Sequence, residues 1–410
     1  MHYQSHLLSN GLRIIHLPSN SPVSYCGFGV ASGTRDELAR EFGMAHFVEH
    51  MLFKGTDKRR AWHILNRMEN VGGELNAYTT KEETFVYSIF MEEHVGRAIE
   101  LLSDLVFNSR FPEKELEKEL DVVLDEINSY KDNPSELIYD EFENLLFKDH
   151  ALGHNILGEE STLNEFDRDL SLSFYHKHYV ASNMIFFSMG STPFKKIVRM
   201  VESYCKDMPE VQYKNDRVAP LSQEAITKAD VKDTFQAHAF VGGRSYSMYD
   251  ERRTGLFLLN NILGGPGMNS RLNIALREKN GLVYNVESNL TPYTDTGVFG
   301  VYFGCDQKNL DKCLSLLHKE LRKLRENKLS TSQILSAKRQ LIGQLGVSGD
   351  NKESTFLGLG KSFMHYNRYD TIEEVFKRIE VLDGSILWDI ANEVFDESKL
   401  YTLLYKAEEA

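Results

Sequence analysis

Residues 46–56 read HFVEHMLFKGT, and no helix breaker interrupts the chain between Ala45 and Phe53. The stretch 43–53 is therefore predicted to be helical, with Gly55 placed to end it. On a helix His46 and His50 are four residues apart, so both imidazoles lie on one face and can reach one metal ion. Glu49 lies beside that face, where it can act as a general base without being a ligand. This order, H-x-x-E-H, is the inverse of the H-E-x-x-H metal motif.

A third ligand is needed, because two histidines and an acid at this spacing also occur by chance. The helix predicted over about 112–131 carries an apolar stripe made of Leu116, Leu120, Val123, Leu124 and Ile127. Glu126 lies next to this stripe, and Glu119 lies two turns earlier on nearly the same face. Taken alone, both acids could form a solvated helix edge. Together with the histidines, Glu126 completes a His₂Glu set of the kind that holds a catalytic zinc with one open position.

The pattern of strands and helices around these motifs occurs twice. In each half a strand, TFVYSIF at 84–90 or GVFGVYFG at 297–304, is followed by an amphipathic helix. The offset is about 210 residues, which indicates a duplicated domain and excludes a solenoid of short repeats. The fold class predicted is α+β, with two homologous domains that each contain a mostly antiparallel sheet packed with helices. Their predicted bounds are 1–210 and 211–410, joined through the polar segment 207–224.

Composition excludes several classes of protein. Hydrophobic residues make up 41% and charged residues 26%, the balance of a soluble globular protein. The net charge of −13 argues against a nucleic-acid partner. No apolar run is long enough to predict a membrane span or a secretory signal. The four cysteines are scattered, which favours a reduced, cytoplasmic setting.

At this point HFVEHMLFKGT, together with Glu126 inside EKELDVVLDEI, resembles the pitrilysin family of inverted zincins. That family includes the insulin-degrading enzyme and the mitochondrial processing peptidase. Four further stretches carry the resemblance: LSNGLRIIHLPSNSPVSYCGFGVASGTRDE at 8–37, GGELNAYTTKEETFVY at 72–87, HALGHNILG at 150–158, and NILGGPGMNSRLNIALREKNGLVYNV at 261–286. The resemblance covers nearly the whole chain. Within the family, the chain resembles the short, two-domain bacterial members.

The resemblance implies a role for the residues of the first half. His46, His50 and Glu126 match the zinc ligands, one Zn²⁺ per chain, although a His₂Glu set also accommodates cobalt or manganese. Glu49 matches the catalytic base, and Glu119 matches a glutamate that supports the site.

Further residues match the parts of the family that handle substrate. Asn76 and Ala77 match the place where the substrate backbone is held near an edge strand. Arg277 and Tyr284 match an Arg/Tyr pair contributed to catalysis by a second-half domain. Without the resemblance, Arg277 would be interpreted as a surface cation and Tyr284 as a half-buried strand residue.

The function implied is that of a zinc metalloendopeptidase that hydrolyses peptides or short unfolded polypeptides inside an enclosed chamber. In longer relatives four such domains form a clamshell, of which this chain would be half. A homodimer whose site is shared between subunits is therefore expected. Two alternatives stay open: a non-catalytic assembly subunit of the same fold, and a subunit that needs a different partner chain.

Overall fold

The computed structural model describes residues 2–206, 208 and 210–407. It contains two β-sheets covered by helices, so the predicted α+β class is confirmed. Each sheet is mostly antiparallel, as expected from the alternating and apolar strand patterns.

The first sheet has six strands in the order β1-β2-β6-β3-β5-β4. Only the pair β2–β6 is parallel. The strand β4 lies at one edge of this sheet, where it pairs with β5 through residues such as Asn76 and Tyr87. The strands are β1 Gln4–Leu7, β2 Arg13–Pro18, β3 Val23–Val30, β4 Glu74–Thr79, β5 Thr84–Met91 and β6 Met184–Gly190.

The second sheet has five strands in the order β7-β11-β8-β10-β9. Its one parallel pair, β11–β7, lies at one edge, and β9 lies at the other edge. The strands are β7 Thr227–Lys232, β8 Ala237–Ser245, β9 Val283–Pro292, β10 Gly297–Cys305 and β11 Tyr401–Ala407.

Fourteen α-helices of the described chain surround the sheets, and a π-helical turn, Asn273–Glu278, precedes β9. The predicted helix over 43–53 is observed as Met44–Leu52, and the one over 112–131 as Glu113–Lys131. The helices are α1 Met44–Leu52, α2 Ala61–Glu69, α3 Val95–Asn108, α4 Glu113–Lys131, α5 Pro134–Leu146, α6 Glu160–Leu163, α7 Arg168–His178, α8 Phe194–Cys205, α9 Arg253–Gly264, α10 Leu310–Glu326, α11 Thr331–Ser348, α12 Lys352–Tyr366, α13 Ile372–Glu380 and α14 Gly384–Val394.

The chain forms two compact units that are not continuous in sequence. The first unit comprises Met1–Asn128, His154–Arg217 and Gly349–Thr371. The second unit comprises Ser129–Gly153, Val218–Ser348 and Ile372–Ala410. Each half of the sequence thus gives one segment to the unit built mainly by the other half. The predicted bounds 1–210 and 211–410 stay a prediction.

The exchanged segments carry α5 and α12, and each helix covers one face of a sheet. In the first unit Phe356 of α12 stacks on Phe187 of β6, with ring centroids 4.4 Å apart. In the second unit Phe142 of α5 packs on Phe240 of β8 at 4.3 Å. The opposite face of each sheet is covered by the remaining helices of its unit, so most strand residues are buried on both faces. Because both faces are buried, strands such as TFVYSIF are nearly continuous apolar runs.

No helix in the described part of the chain is both long and apolar enough to cross a lipid bilayer.

Replacing Phe142 with Ala should lower the free energy of unfolding by about 3–5 kcal/mol, because the ring is fully buried between α5 and β8. Denaturant unfolding measures the change. Phe235→Ala is the matched control, since Phe235 is fully exposed and its loss should cost less than about 0.5 kcal/mol. Equal stability of the two variants would show that α5 does not cover the second sheet.

Candidate metal centre

The helix α1 presents His46 and His50 on one face, with their ring centroids 4.6 Å apart. The residue before the helix, Gly43, has φ +98°, a left-handed conformation that favours glycine. A Cβ there would lie 2.7 Å from the carbonyl oxygen of Leu157. The sequence can therefore start the helix at this point only with glycine.

A buried carboxylate caps this helix from outside it. The Glu37 carboxylate accepts hydrogen bonds from the backbone N–H groups of Gly43 and Ala45, with N···O distances of 2.9 and 2.7 Å. It also contacts Nε2 of His154 at 2.9 Å. The N–H groups at a helix start have no partner within the helix, and a carboxylate there also interacts favourably with the helix dipole. Glu37 therefore determines where α1 begins, and with it the directions of the two histidines.

Glu126 of α4 brings a carboxylate oxygen to both imidazoles. Its Oε2 lies 3.8 Å from Nε2 of His46 and 3.7 Å from Nε2 of His50. The ligand atoms of the three residues all lie within 4.8 Å of one another. Around a tetrahedral zinc ion, ligand atoms at about 2.1 Å from the metal are about 3.4 Å apart. Small side-chain movements would therefore bring all three to coordination distance.

A second carboxylate orients one of the histidines. Glu119, whose side chain is 6% exposed, contacts Nδ1 of His50 at 3.1 Å and Nζ of Lys54 at 2.5 Å. A carboxylate can only accept, so Nδ1 carries the proton and Nε2 presents its lone pair towards Glu126. Glu119 therefore lies within hydrogen-bond distance of one candidate ligand, and its supporting role, which the family resemblance implies, stays a prediction.

His46 is held in the neutral form that a metal requires. Burial, followed by the neighbouring His50, lowers the pKa of His46 to about 3. Its Nδ1 is buried and has no hydrogen-bond partner among the described residues. The two histidines therefore differ in their hydrogen bonding, since only the Nδ1 of His50 contacts a carboxylate.

Glu49 lies next to this group without belonging to it. Burial raises the pKa of Glu49, and a hydrogen bond from Thr79 Oγ1 at 2.6 Å to its Oε2 opposes that increase. The charge of His50 also lowers the pKa of Glu49, and the charge of Glu126 raises it. A carboxylate with a raised pKa is a stronger base than an exposed one, which suits proton transfer.

Three of the other predicted site residues lie on edge strands, and the fourth, Arg277, lies on the π-helical turn. Asn76 and Ala77 are half-buried on β4, the edge strand against which α1 packs. Arg277 and Tyr284 lie in the second unit, on the π-helical turn and on β9. They contact each other, with the guanidinium 5.8 Å from the centre of the Tyr284 ring. Tyr284 is 86% exposed, so the expectation of a half-buried strand residue does not describe it.

Sequence reasoning missed three residues that support this centre: Glu37, Lys54 and Thr79. The contacts of Glu37 and Lys54 join segments that follow no short-range pattern. Thr79 had a usable signal, because in a strand it shares a face with Ala77, two residues earlier. Among the described residues, His46, His50 and Glu126 form the one group of three or more histidines, cysteines and acids whose ligand atoms converge in this way.

Comparison with family models divides the chain into two matches. Residues 14–160, which contain the whole metal centre, match the model described as Insulinase (Peptidase family M16). Residues 165–341 match the model described as Peptidase M16 inactive domain. The match to the inactive domain therefore does not include His46, His50 or Glu126.

Similar proteins cover nearly the full length of the chain. The uncharacterized zinc protease YmxG of Bacillus subtilis is 30% identical over 398 residues, or 96% of each protein. An uncharacterized zinc protease of Rickettsia bellii is 33% identical over 95% of this chain and 94% of its own length.

Two solved structures share the fold. A peptidase M16 inactive domain from Pseudomonas fluorescens superposes with a TM-score of 0.92 at 19% identity, covering 100% of this chain and 99% of that chain. A protease from Helicobacter pylori superposes with a TM-score of 0.90 at 21% identity, covering 99% of each. The whole fold, including its interleaved segments, is therefore shared with these proteins.

Replacing Glu119 with Gln should weaken zinc binding by about 10- to 100-fold, because the partner that orients His50 loses its charge. Competition with a chromogenic zinc chelator measures the dissociation constant. Glu117→Gln, an exposed position on the same helix, is the control and should bind zinc like the wild type. Unchanged affinity in both variants would contradict the orienting role of Glu119.

Proposed function

Because the chain belongs to peptidase family M16, we propose that it is a zinc-dependent endopeptidase that hydrolyses peptides and short unfolded polypeptides. The single observation that carries this proposal is the convergence of His46, His50 and Glu126 beside the half-buried carboxylate of Glu49. The family membership confirms the resemblance stated from the sequence. The activity and the residue roles are our proposal.

His46 Nε2, His50 Nε2 and a Glu126 oxygen would hold one zinc ion per chain. The donor set fits zinc, since two neutral imidazoles and one carboxylate leave a coordination position open for catalysis. Zinc bound there supplies Lewis acidity, which polarises the scissile carbonyl and lowers the pKa of water. Zinc is favoured over cobalt or manganese because relatives spanning the chain are named zinc proteases.

Glu49 performs the proton transfers. Its carboxylate accepts a proton from the attacking water and passes it to the amine that leaves when the peptide bond breaks. Burial favours this role, because a partly desolvated carboxylate holds the proton more tightly than an exposed one. Positioned groups of this kind contribute about 10²- to 10⁴-fold to the rate.

The substrate is expected to lie along β4. An edge strand has unpaired backbone groups, and an extended peptide can add to it as a further strand. Asn76 and Ala77 would hold the substrate backbone there. Main-chain hydrogen bonds give affinity with little sequence preference, which suits a peptidase acting on varied peptides.

Arg277 and Tyr284 complete the site from a second copy of the chain in our proposal. Charge develops on the carbonyl oxygen as water attacks it, and the phenol and guanidinium would donate hydrogen bonds to it. The exposure of Tyr284 supports this role, because a residue that reaches into another subunit cannot be buried in its own. The two copies would enclose the substrate in a chamber.

We also propose a cytoplasmic setting. All four cysteines are buried and form no disulfide bond. A reducing compartment keeps cysteines in this thiol form.

Replacing Glu49 with Gln should lower the rate of hydrolysis of quenched fluorescent peptides by at least about 10²-fold, because the amide cannot accept the proton. The variant should still contain one zinc per chain by metal analysis, since Glu49 is not a ligand. Removing zinc from the wild type with a chelator should abolish activity, and adding zinc should restore it.

A wild type that binds zinc but cleaves no peptide would refute the peptidase and favour the assembly subunit. A wild type that becomes active only when a different chain is added would favour the heteromeric alternative.

The shared site predicts that two inactive variants complement each other. In a dimer of a Glu49→Gln chain and a Tyr284→Phe chain, one of the two sites has every group intact. Random mixing should therefore restore about a quarter of wild-type activity, because half of the dimers are mixed. Each variant alone is the control. Verified mixed dimers without activity would contradict a site shared between subunits.

A further inference from the structure

We infer that Thr79 is the residue that positions the carboxylate of Glu49 for proton transfer, and that it links this base to the strand on which substrate lies. The inference rests on the proposed function. Thr79 lies outside the H-x-x-E-H motif and is not one of the site residues predicted from the sequence.

The hydrogen bond between these residues has one possible direction. Thr79 is the last residue of β4, and its Oγ1 lies 2.6 Å from Oε2 of Glu49. An ionised carboxylate only accepts, so the threonine hydroxyl donates. The distance lies in the 2.5–2.7 Å range of charge-assisted O–H···O⁻ bonds, which are about twice as strong as neutral ones. Thr79 thus occupies one carboxylate oxygen and leaves Oε1 for the proton.

The neighbouring hydroxyl does not compete for this role. Thr84 Oγ1 lies 3.4 Å from Thr79 Oγ1, but it donates its own proton to the carbonyl oxygen of Ser32 at 3.1 Å. A threonine has a single hydroxyl proton. The hydroxyl proton of Thr79 is therefore available for a hydrogen bond to Glu49, and the Thr84 hydroxyl packs beside that of Thr79.

The turn after Thr79 is fixed by buried ion pairs. Glu82 pairs with Arg35 at 2.6 Å, and both side chains are at most 5% exposed. Glu83 pairs with His365 at 2.6 Å and with Lys361 at 2.7 Å. Lys81 donates to the carbonyl oxygen of His154. Three consecutive charged residues thus hold the end of β4 in place.

This rigid turn explains why a hydroxyl on β4 can orient a flexible glutamate. A glutamate side chain has several rotatable bonds and would otherwise sample many positions of its carboxylate. A donor on a fixed strand selects one of them before substrate binds, so the reaction loses no free energy to this ordering. The same strand carries Ala77 on the same face as Thr79, because side chains alternate along a strand. The base and the substrate backbone are therefore positioned by one structural element.

The test compares variants that remove the hydroxyl with one that keeps it. Thr79→Val has nearly the same shape without the hydroxyl, and Thr79→Ala removes it without a β-branch. Both should lower kcat by about 10- to 100-fold, because the base is no longer aligned. KM should stay within about twofold, and zinc content should stay at one ion per chain, since neither substrate contacts nor ligands change. Thr79→Ser should restore kcat to within about threefold of the wild type, because it keeps the donor.

Ser88→Ala is the matched control. Ser88 Oγ donates to the carbonyl oxygen of Glu74 at 2.6 Å, so it holds the other end of β4 without contacting Glu49. This variant removes a hydroxyl and one tie to the same strand, and its kcat should stay near the wild-type value.

Two results would overturn the inference. One is a Thr79→Val protein with wild-type kcat. The other is a Thr79→Ser protein as slow as Thr79→Val, which would show that packing of the methyl group matters and the hydroxyl does not. Both outcomes are distinguishable from failure of the proposed function, in which the wild type itself would cleave no peptide and the inference would fall with it.

Discussion

The carboxylate of Glu37 lies at the start of α1 and accepts two of its backbone N–H groups. A helix is a rigid body, so fixing its first turn also fixes the directions of His46, Glu49 and His50 further along. This contact reaches across a loop to a helix of nine residues, which would be marginal in isolation. The rest of the metal centre depends on it, because α4 can present Glu126 to the two imidazoles only if those imidazoles already point one way.

Buried acids are the common feature of this part of the molecule, and each one has partners that offset the cost of burial. Glu37 has backbone N–H groups, Glu119 has His50 and Lys54, and Glu82 has Arg35. Although burial opposes ionisation of Glu83, His365 and Lys361 hold its pKa below the usual value. An isolated buried carboxylate would be strongly destabilising. These acids therefore have hydrogen-bond or ion-pair partners within the first unit, although burial raises the pKa of Glu37 above its usual value.

In both units, one face of the sheet is covered by a helix from the other half of the sequence, and in the first unit the opposite face carries the candidate ligands. The covering helices are α12 and α5, which pack on the sheets through aromatic contacts. The opposite face of the first sheet carries α1, α3 and α4, and with them every candidate ligand. The second unit repeats this layered arrangement without a comparable group of ligands among its described residues, and it contains Arg277 and Tyr284, which contact each other. The same layered arrangement thus carries the candidate metal ligands in the first unit, and the contacting residues Arg277 and Tyr284 in the second.

The amino-acid sequence alone predicts the features that depend on spacing along one element. The helical repeat places His46 and His50 on one face, with Glu49 beside it. The same repeat places Glu119 and Glu126 two turns apart, and the strand patterns predicted the α+β class. Tertiary packing sets the remaining features: which acids are buried, that α5 and α12 pack in the opposite units, and that Glu37, Lys54 and Thr79 lie close to the candidate ligands and base. The reason is physical: a repeat along one helix or strand is set by local backbone geometry. Contacts between distant segments depend on how whole elements pack, and no short stretch of sequence contains that information.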